Sequence, residues 1–96
     1  MSTQIGMESI FSQYPNGPMW TGNGPRSVTK DVKFRCPFAC PPQVVASIST
    51  LDAGNAANTR VSVTCQAITT TGFQIKVETW ADTKLAMVAV AWVANL

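Results

Sequence analysis

Few side chains in this 96-residue chain are equipped for chemistry, and the most suggestive stand together in V-E-T-W-A-D-T, residues 77–83. Glu78 and Asp82 straddle Trp80 there, and a carboxylate pair beside an aromatic ring is a layout a glycosidase uses. The competing reading pairs Glu78 with Lys76 or a cross-strand arginine and lets Asp82 cap its own turn. Catalysis is otherwise hard to assemble. The chain has no histidine, so the usual general base is missing. Cys40 has no base beside it to make it a nucleophile. Cys36, Cys40 and Cys65 lack the spacing of a metal site, so neither a metal nor a cofactor is expected. The three read as buried structural thiols, with one disulfide plus a free thiol, or an interchain bridge, as alternatives.

Binding needs less than catalysis, and the residues for it are present. Trp80 offers a flat apolar surface to the C–H face of a sugar ring. Arg60 offers fixed, charged donors for ring hydroxyls. Asn23, flanked by Gly22 and Gly24, adds an amide that both donates and accepts. The opposing reading gives the same residues a structural role, in which Trp80 plugs a seam between protomers and Arg60 neutralises Glu78.

The elements that would position these groups are strands. Phe73, Ile75 and Val77 alternate with Gln74, Lys76 and Glu78, the period of a half-buried strand that delivers Trp80 to its end. Val32, Phe34 and Cys36 alternate with Lys33 and Arg35 before Pro37–Pro42 breaks the run. Gln43–Leu51 is a further strand, with Val44, Ala46 and Ile48 on one face, and the polar stretch Asp52–Asn58 is a loop. In Thr59–Ile68, Val61, Val63, Cys65 and Ala67 point inward while Arg60, Ser62, Thr64 and Gln66 point outward. The closing strand, Leu85–Ala94, is apolar on both sides: Val88, Val90 and Trp92 form one row, and Leu85, Met87, Ala89, Ala91 and Val93 the other. One row belongs in the core and the other calls for a partner such as a second copy of the chain. Residues 1–29 show no regular period and carry Asn-Gly-Pro twice, so they read as an irregular arm studded with loops and anchored by Trp20, ahead of a β domain at 30–96. Short strands, turn signals and no helical period imply an all-β antiparallel sandwich.

Composition narrows the partners. A net charge of +2 from scattered basic residues is too small for a nucleic-acid footprint. No apolar run reaches the roughly 20 residues a helix needs to cross a bilayer, so no membrane insertion is expected. With 12% charged residues, the chain exposes little that would keep it apart from copies of itself. No basic and hydrophobic leader opens the chain, so it is expected to be cytosolic, exported by a non-classical route, or a mature extracellular chain.

Six short motifs then fall in order: F-R-C-P-F-A-C-P-P-Q-V-V, S-T-L-D, N-T-R-V, I-T-T-T-G-F, T-W-A-D-T-K-L and A-W-V-A. Together, from about Val32 to Ala94, they resemble the H-type lectin domain. The resemblance implies a six-stranded antiparallel sandwich that assembles as a trimer, in some members a hexamer built from two trimers. It also implies binding of terminal galactose or N-acetylgalactosamine at the seam between protomers. The family arginine falls on Arg60 and the family tryptophan on Trp80, with Asp82 in the same stretch. An N-terminal loop that supplies an aspartate to the family site falls, counting back from Phe34, on Gly22, Asn23 and Gly24. Two positions depart. The family pattern has a histidine directly after the tryptophan where this chain has Ala81, and a tyrosine where it has Ala86; both losses weaken or redirect sugar binding. A multivalent lectin is therefore the leading expectation, with a structural oligomerisation module second and a small glycosidase third.

Overall fold

The computed structural model describes residues 2–96, and it is built from six strands and one helical turn. These are β1 (Thr3–Ser12), α1 (Pro18–Thr21), β2 (Arg26–Lys33), β3 (Gln43–Ala53), β4 (Ser62–Gln66), β5 (Gly72–Thr79) and β6 (Leu85–Asn95). They form two three-stranded sheets, ordered β1-β6-β3 and β2-β5-β4, and every pairing is antiparallel.

The alternation of β5 does what its sequence asks. Phe73, Ile75, Val77 and Thr79 are all buried, while the residues between them keep partial exposure. Each full burial of such an apolar side chain is worth about 1.5–3 kcal/mol relative to leaving it in water. Val88, Val90, Trp92 and Ala94 of β6 meet them from the other sheet. At one end the core is aromatic: Phe34 lies 4.9 Å from Phe38, 5.6 Å from Phe73 and 5.9 Å from Trp92, centroid to centroid. Val44, Ala46, Val61, Val63 and Cys65 pack against this core from its margins, on the rows their alternation predicts.

Several expectations need correction. Residues 1–29 are not irregular throughout, because Thr3–Ser12 is a full strand paired along β6 from Thr3↔Asn95 to Ser12↔Met87. A register shift between Ser9 and Phe11 breaks its alternation, and its exposed apolar residues, Ile5 and Met7, face away from the core. Leu85 is fully buried rather than part of the outward row; the ladder slips where Asp52 and Ala53 oppose Met87 and Leu85. Ala67 is exposed, in a left-handed conformation (φ 52°) just past the end of β4. Ile48 remains partly exposed beside a bulge between Ile48 and Thr50. Cys36 and Cys40 are exposed and free, since β2 stops at Lys33; only Cys65 is partly covered, and its burial pushes the thiol pKa up.

Two consequences of the topology matter for function. The connections 13–25, 54–61 and 80–84 all emerge at one end of an elongated body, 46 Å long and 19 Å across. The chain ends sit at the other, where Leu96 N donates to Ser2 O and Thr3 Oγ1 to Asn95 Oδ1. In addition, the outer face of β1-β6-β3 carries the cross-strand row Ile5–Val93–Val45, with Met7 opposite Ala91. Ile5, Val45 and Met7 are 71%, 70% and 68% exposed, an apolar face with no cover in the single chain.

Candidate functional site

The three connections at the loop end are tied to one another by hydrogen bonds that begin with two buried threonines. Thr79 continues the inward row of β5, and its hydroxyl donates to Arg60 O. Thr83, equally buried, donates to Asn58 O and accepts from Arg60 Nη1 at 3.1 Å. A buried hydroxyl must find partners to be tolerated, and these two find them on the 54–61 connection. The same Arg60 nitrogen donates to Asp82 Oδ1 at 2.9 Å. Arg60 is therefore held by 80–84, its side chain about a quarter exposed (27%), with Asp82 largely open at 68%.

The 13–25 connection joins through Arg26. Its guanidinium donates to five backbone carbonyls: Gly24 at 2.8 Å, Pro18 at 3.3 Å, Met19 at 3.2 Å, Ala81 at 3.0 Å and Thr83 at 2.8 Å. Gly24 N adds a bond to Ala81 O at 2.8 Å, and Asn23 Oδ1 accepts from Gly24 N at 3.0 Å. One planar fork thus gathers α1, the Gly22–Gly24 loop and the Trp80–Thr83 turn. Ala81 sits in that turn at φ 58°, a left-handed conformation costing a residue with a Cβ about 1–2 kcal/mol.

The structure brings Asp82 and Arg60 into contact and sets the Gly22–Gly24 loop against their turn. Trp80 stands apart. It is 45% exposed and borders an open cavity of about 330 Å³ with Pro25, Arg26, Ser27, Lys76 and Glu78. Asp82 borders a different cavity of about 170 Å³, with Gly54, Ala56, Ala57 and Lys84. Glu78 meets Lys76 at 3.8 Å, the pairing that competes with a catalytic role, whereas the idea that Arg60 neutralises Glu78 is corrected: Arg60 serves Asp82. The two carboxylates engage different cations and share no site. Among the described residues no cluster of histidine, cysteine, aspartate or glutamate is arranged to hold a metal ion.

Arg26, Thr79 and Thr83 are not apparent from the sequence as part of the site. Thr79 carries a signal, since alternation places a polar residue on the row of Phe73, Ile75 and Val77. Arg26 carries none, because its partners are all main-chain carbonyls and leave no trace in residue type.

Comparison with known proteins places this arrangement. A model of the H-type lectin domain matches residues 29–95. The product of ORF 7 in the ATP synthase subunits region of Fuscovulum blasticum is 41% identical over 90 residues, 93% of this chain and 78% of that protein. A discoidin-1 chain of Dictyostelium discoideum is 33% identical over 94 residues. Discoidin II from the same organism superposes with a TM-score of 0.87 at 28% identity, over 97% of this chain. The chain spans about a third of either discoidin, 36% in each case. Both discoidin matches extend across the N-terminal segment that the family model leaves out, so β1 belongs to the shared fold. With the sandwich, its loop end and these relatives together, the chain belongs to the H-type lectin domain family.

Proposed function

We propose that this chain is a multivalent, non-catalytic lectin that binds terminal galactose or N-acetylgalactosamine at a seam between protomers. The observation that carries the reading is the gathering of Arg60, Asp82 and the Gly22–Gly24 loop around the turn that begins at Trp80. Trp80 borders one open cavity and Asp82, the partner of Arg60, borders another, and a second chain laid against the loop end walls in the sugar held there. In that arrangement Trp80 stacks on the ring while Arg60 and the open carboxylate of Asp82 engage its hydroxyls. Asn23, with Gly22 and Gly24, lines the rim from the loop that Arg26 holds in place. The uncovered face formed by Ile5, Met7, Val45 and Val93 is the surface that joins the copies, as a trimer or as two trimers back to back. A shallow site gives weak affinity for one sugar, and several on a rigid body raise avidity by roughly 10²–10⁴ where glycans are suitably spaced.

The same apolar face favours a second reading, a structural module that only holds copies of itself together. Agglutination of red cells inhibited by galactose or N-acetylgalactosamine, a glycan array and light scattering on wild type and Trp80→Ala separate the two. A lectin loses glycan binding in Trp80→Ala while keeping its mass. A module gives a blank array, and its mass falls if Trp80 lies in the seam.

A further inference from the structure

A second aromatic feature stands at the loop end, on the segment between β1 and β2. Tyr14 and Trp20 meet edge to face, their centroids 5.0 Å apart and their planes 78° from parallel. Tyr14 is 62% exposed. The corner they form borders a cavity of about 420 Å³ completed by Ser12, Asp52, Ala86 and Met87, within the range of about 300–1,000 Å³ in which small ligands are held.

This corner is built. Ala86 O accepts from Gln13 N at 2.7 Å and Tyr14 N at 3.3 Å, pinning the segment to β6. Trp20 rests on α1 against Gly54, where a Cβ would come within 3.4 Å of the indole, and Lys84 Nζ stands 5.8 Å from its ring centre. Ala86 presents only a methyl, which leaves the cavity open. Asp52 makes no ion pair or side-chain hydrogen bond among the described residues, so its carboxylate is free to accept. Two apolar planes at nearly a right angle, with a free carboxylate beside them, match a pyranose: C–H face on a ring, neighbouring hydroxyls donating to the carboxylate.

One residue links this corner to the first site. Lys84, which reaches over Trp20, lines the cavity that Asp82 borders. We infer that Tyr14, Trp20 and Asp52 form a subsite for an inner sugar of a glycan whose terminal residue occupies the Trp80–Arg60 seam, so that the preferred ligand is an oligosaccharide. The inference rests on the lectin reading above.

Calorimetric titration of wild type, Trp80→Ala, Tyr14→Ala and Asp52→Asn with methyl β-galactoside and with a galactose-terminated trisaccharide tests it. The trisaccharide is expected to bind wild type about tenfold tighter than the monosaccharide. Tyr14→Ala and Asp52→Asn are expected to erase roughly fivefold to tenfold of that gain and to leave the monosaccharide within about twofold. Asp52→Asn keeps the side chain's shape, so its effect reports the lost charge and not a misfolded loop. Equal affinity for the two ligands, or a trisaccharide gain untouched by both variants, overturns the subsite. Loss of monosaccharide binding in Trp80→Ala would still uphold the lectin reading in that event. If wild type binds neither ligand, both readings fall.

Discussion

Replacing Arg26 with methionine tests whether the loop end is a preassembled platform. Methionine keeps an unbranched apolar stem as far as the Nε position but has no guanidinium, so all five carbonyl bonds are lost. Those to Pro18 O and Ala81 O are exposed, and water replaces them at small cost. The bonds to Gly24, Met19 and Thr83 are partly buried. A hydrogen bond from a charged donor is worth about 1.5–3 kcal/mol when well shielded and nearer 1 when partly wet, so the three together come to about 3 kcal/mol. At a urea slope of about 1.5 kcal/mol/M, the unfolding midpoint should fall by about 2 M with the slope unchanged, compared at one protein concentration. Arg26→Lys keeps the charge but not the fork, and should recover no more than about a third of the loss. Hydrogen exchange supplies the local readout: the Gly24 amide, which donates to Ala81 O, should exchange faster in Arg26→Met, while the β5 amides stay protected at matched stability. A midpoint within about 0.3 M of wild type, with Gly24 exchange unaltered, would refute the claim that this guanidinium assembles the loop end.

Other substitutions probe separate features. Gly6→Ala would place a Cβ 2.6 Å from the Trp92 indole, which Glu8 anchors through its Nε1; a loss of about 1–3 kcal/mol and a shifted tryptophan emission are expected. Ala81→Gly relieves the left-handed turn and should raise stability by about 0.5–1 kcal/mol in thermal unfolding. Val93→Asp, placed centrally in the row with Ile5 and Val45, should convert an oligomer to monomer by light scattering with the far-ultraviolet spectrum intact. A thiol reagent at pH 8 should modify the exposed Cys36 and Cys40 rapidly and Cys65 slowly, because its raised pKa reduces the reactive thiolate and its neighbours restrict access.

The sequence is most readable where one strand face is buried and the other wet. Phe73-Gln-Ile-Lys-Val and Val88-Ala-Val-Ala-Trp announce their inner rows because a sandwich demands period two there. The first strand is hidden for a physical reason. Its apolar Ile5 and Met7 face outward, its Gly6 is dictated by the Trp92 indole across the ladder, and its bulge at Ser9–Phe11 scrambles the alternation. Reading Cys36 as buried extends the Val32–Phe34 alternation beyond Lys33, where the strand has already ended. At the loop end, the residues proposed to meet a ligand, Arg60, Trp80, Asp82 and the Gly22–Gly24 loop, are singled out by residue type together with the family pattern. The pairing of Arg60 with Asp82 is not, since it depends on how far apart the two sheets hold the 54–61 and 80–84 connections.

The position of the chain ends has a practical meaning. Ser2 and Leu96 lie side by side, a full body length from Trp80, Asp82 and Tyr14. Anything joined to either end, whether another domain, a linker or a fluorescent tag, departs from the rear while all three loops point forward. The fold works as a plug with its contacts on one side and its cable on the other. It can be spliced into a longer chain or arrayed on a surface through both ends without shadowing the loops.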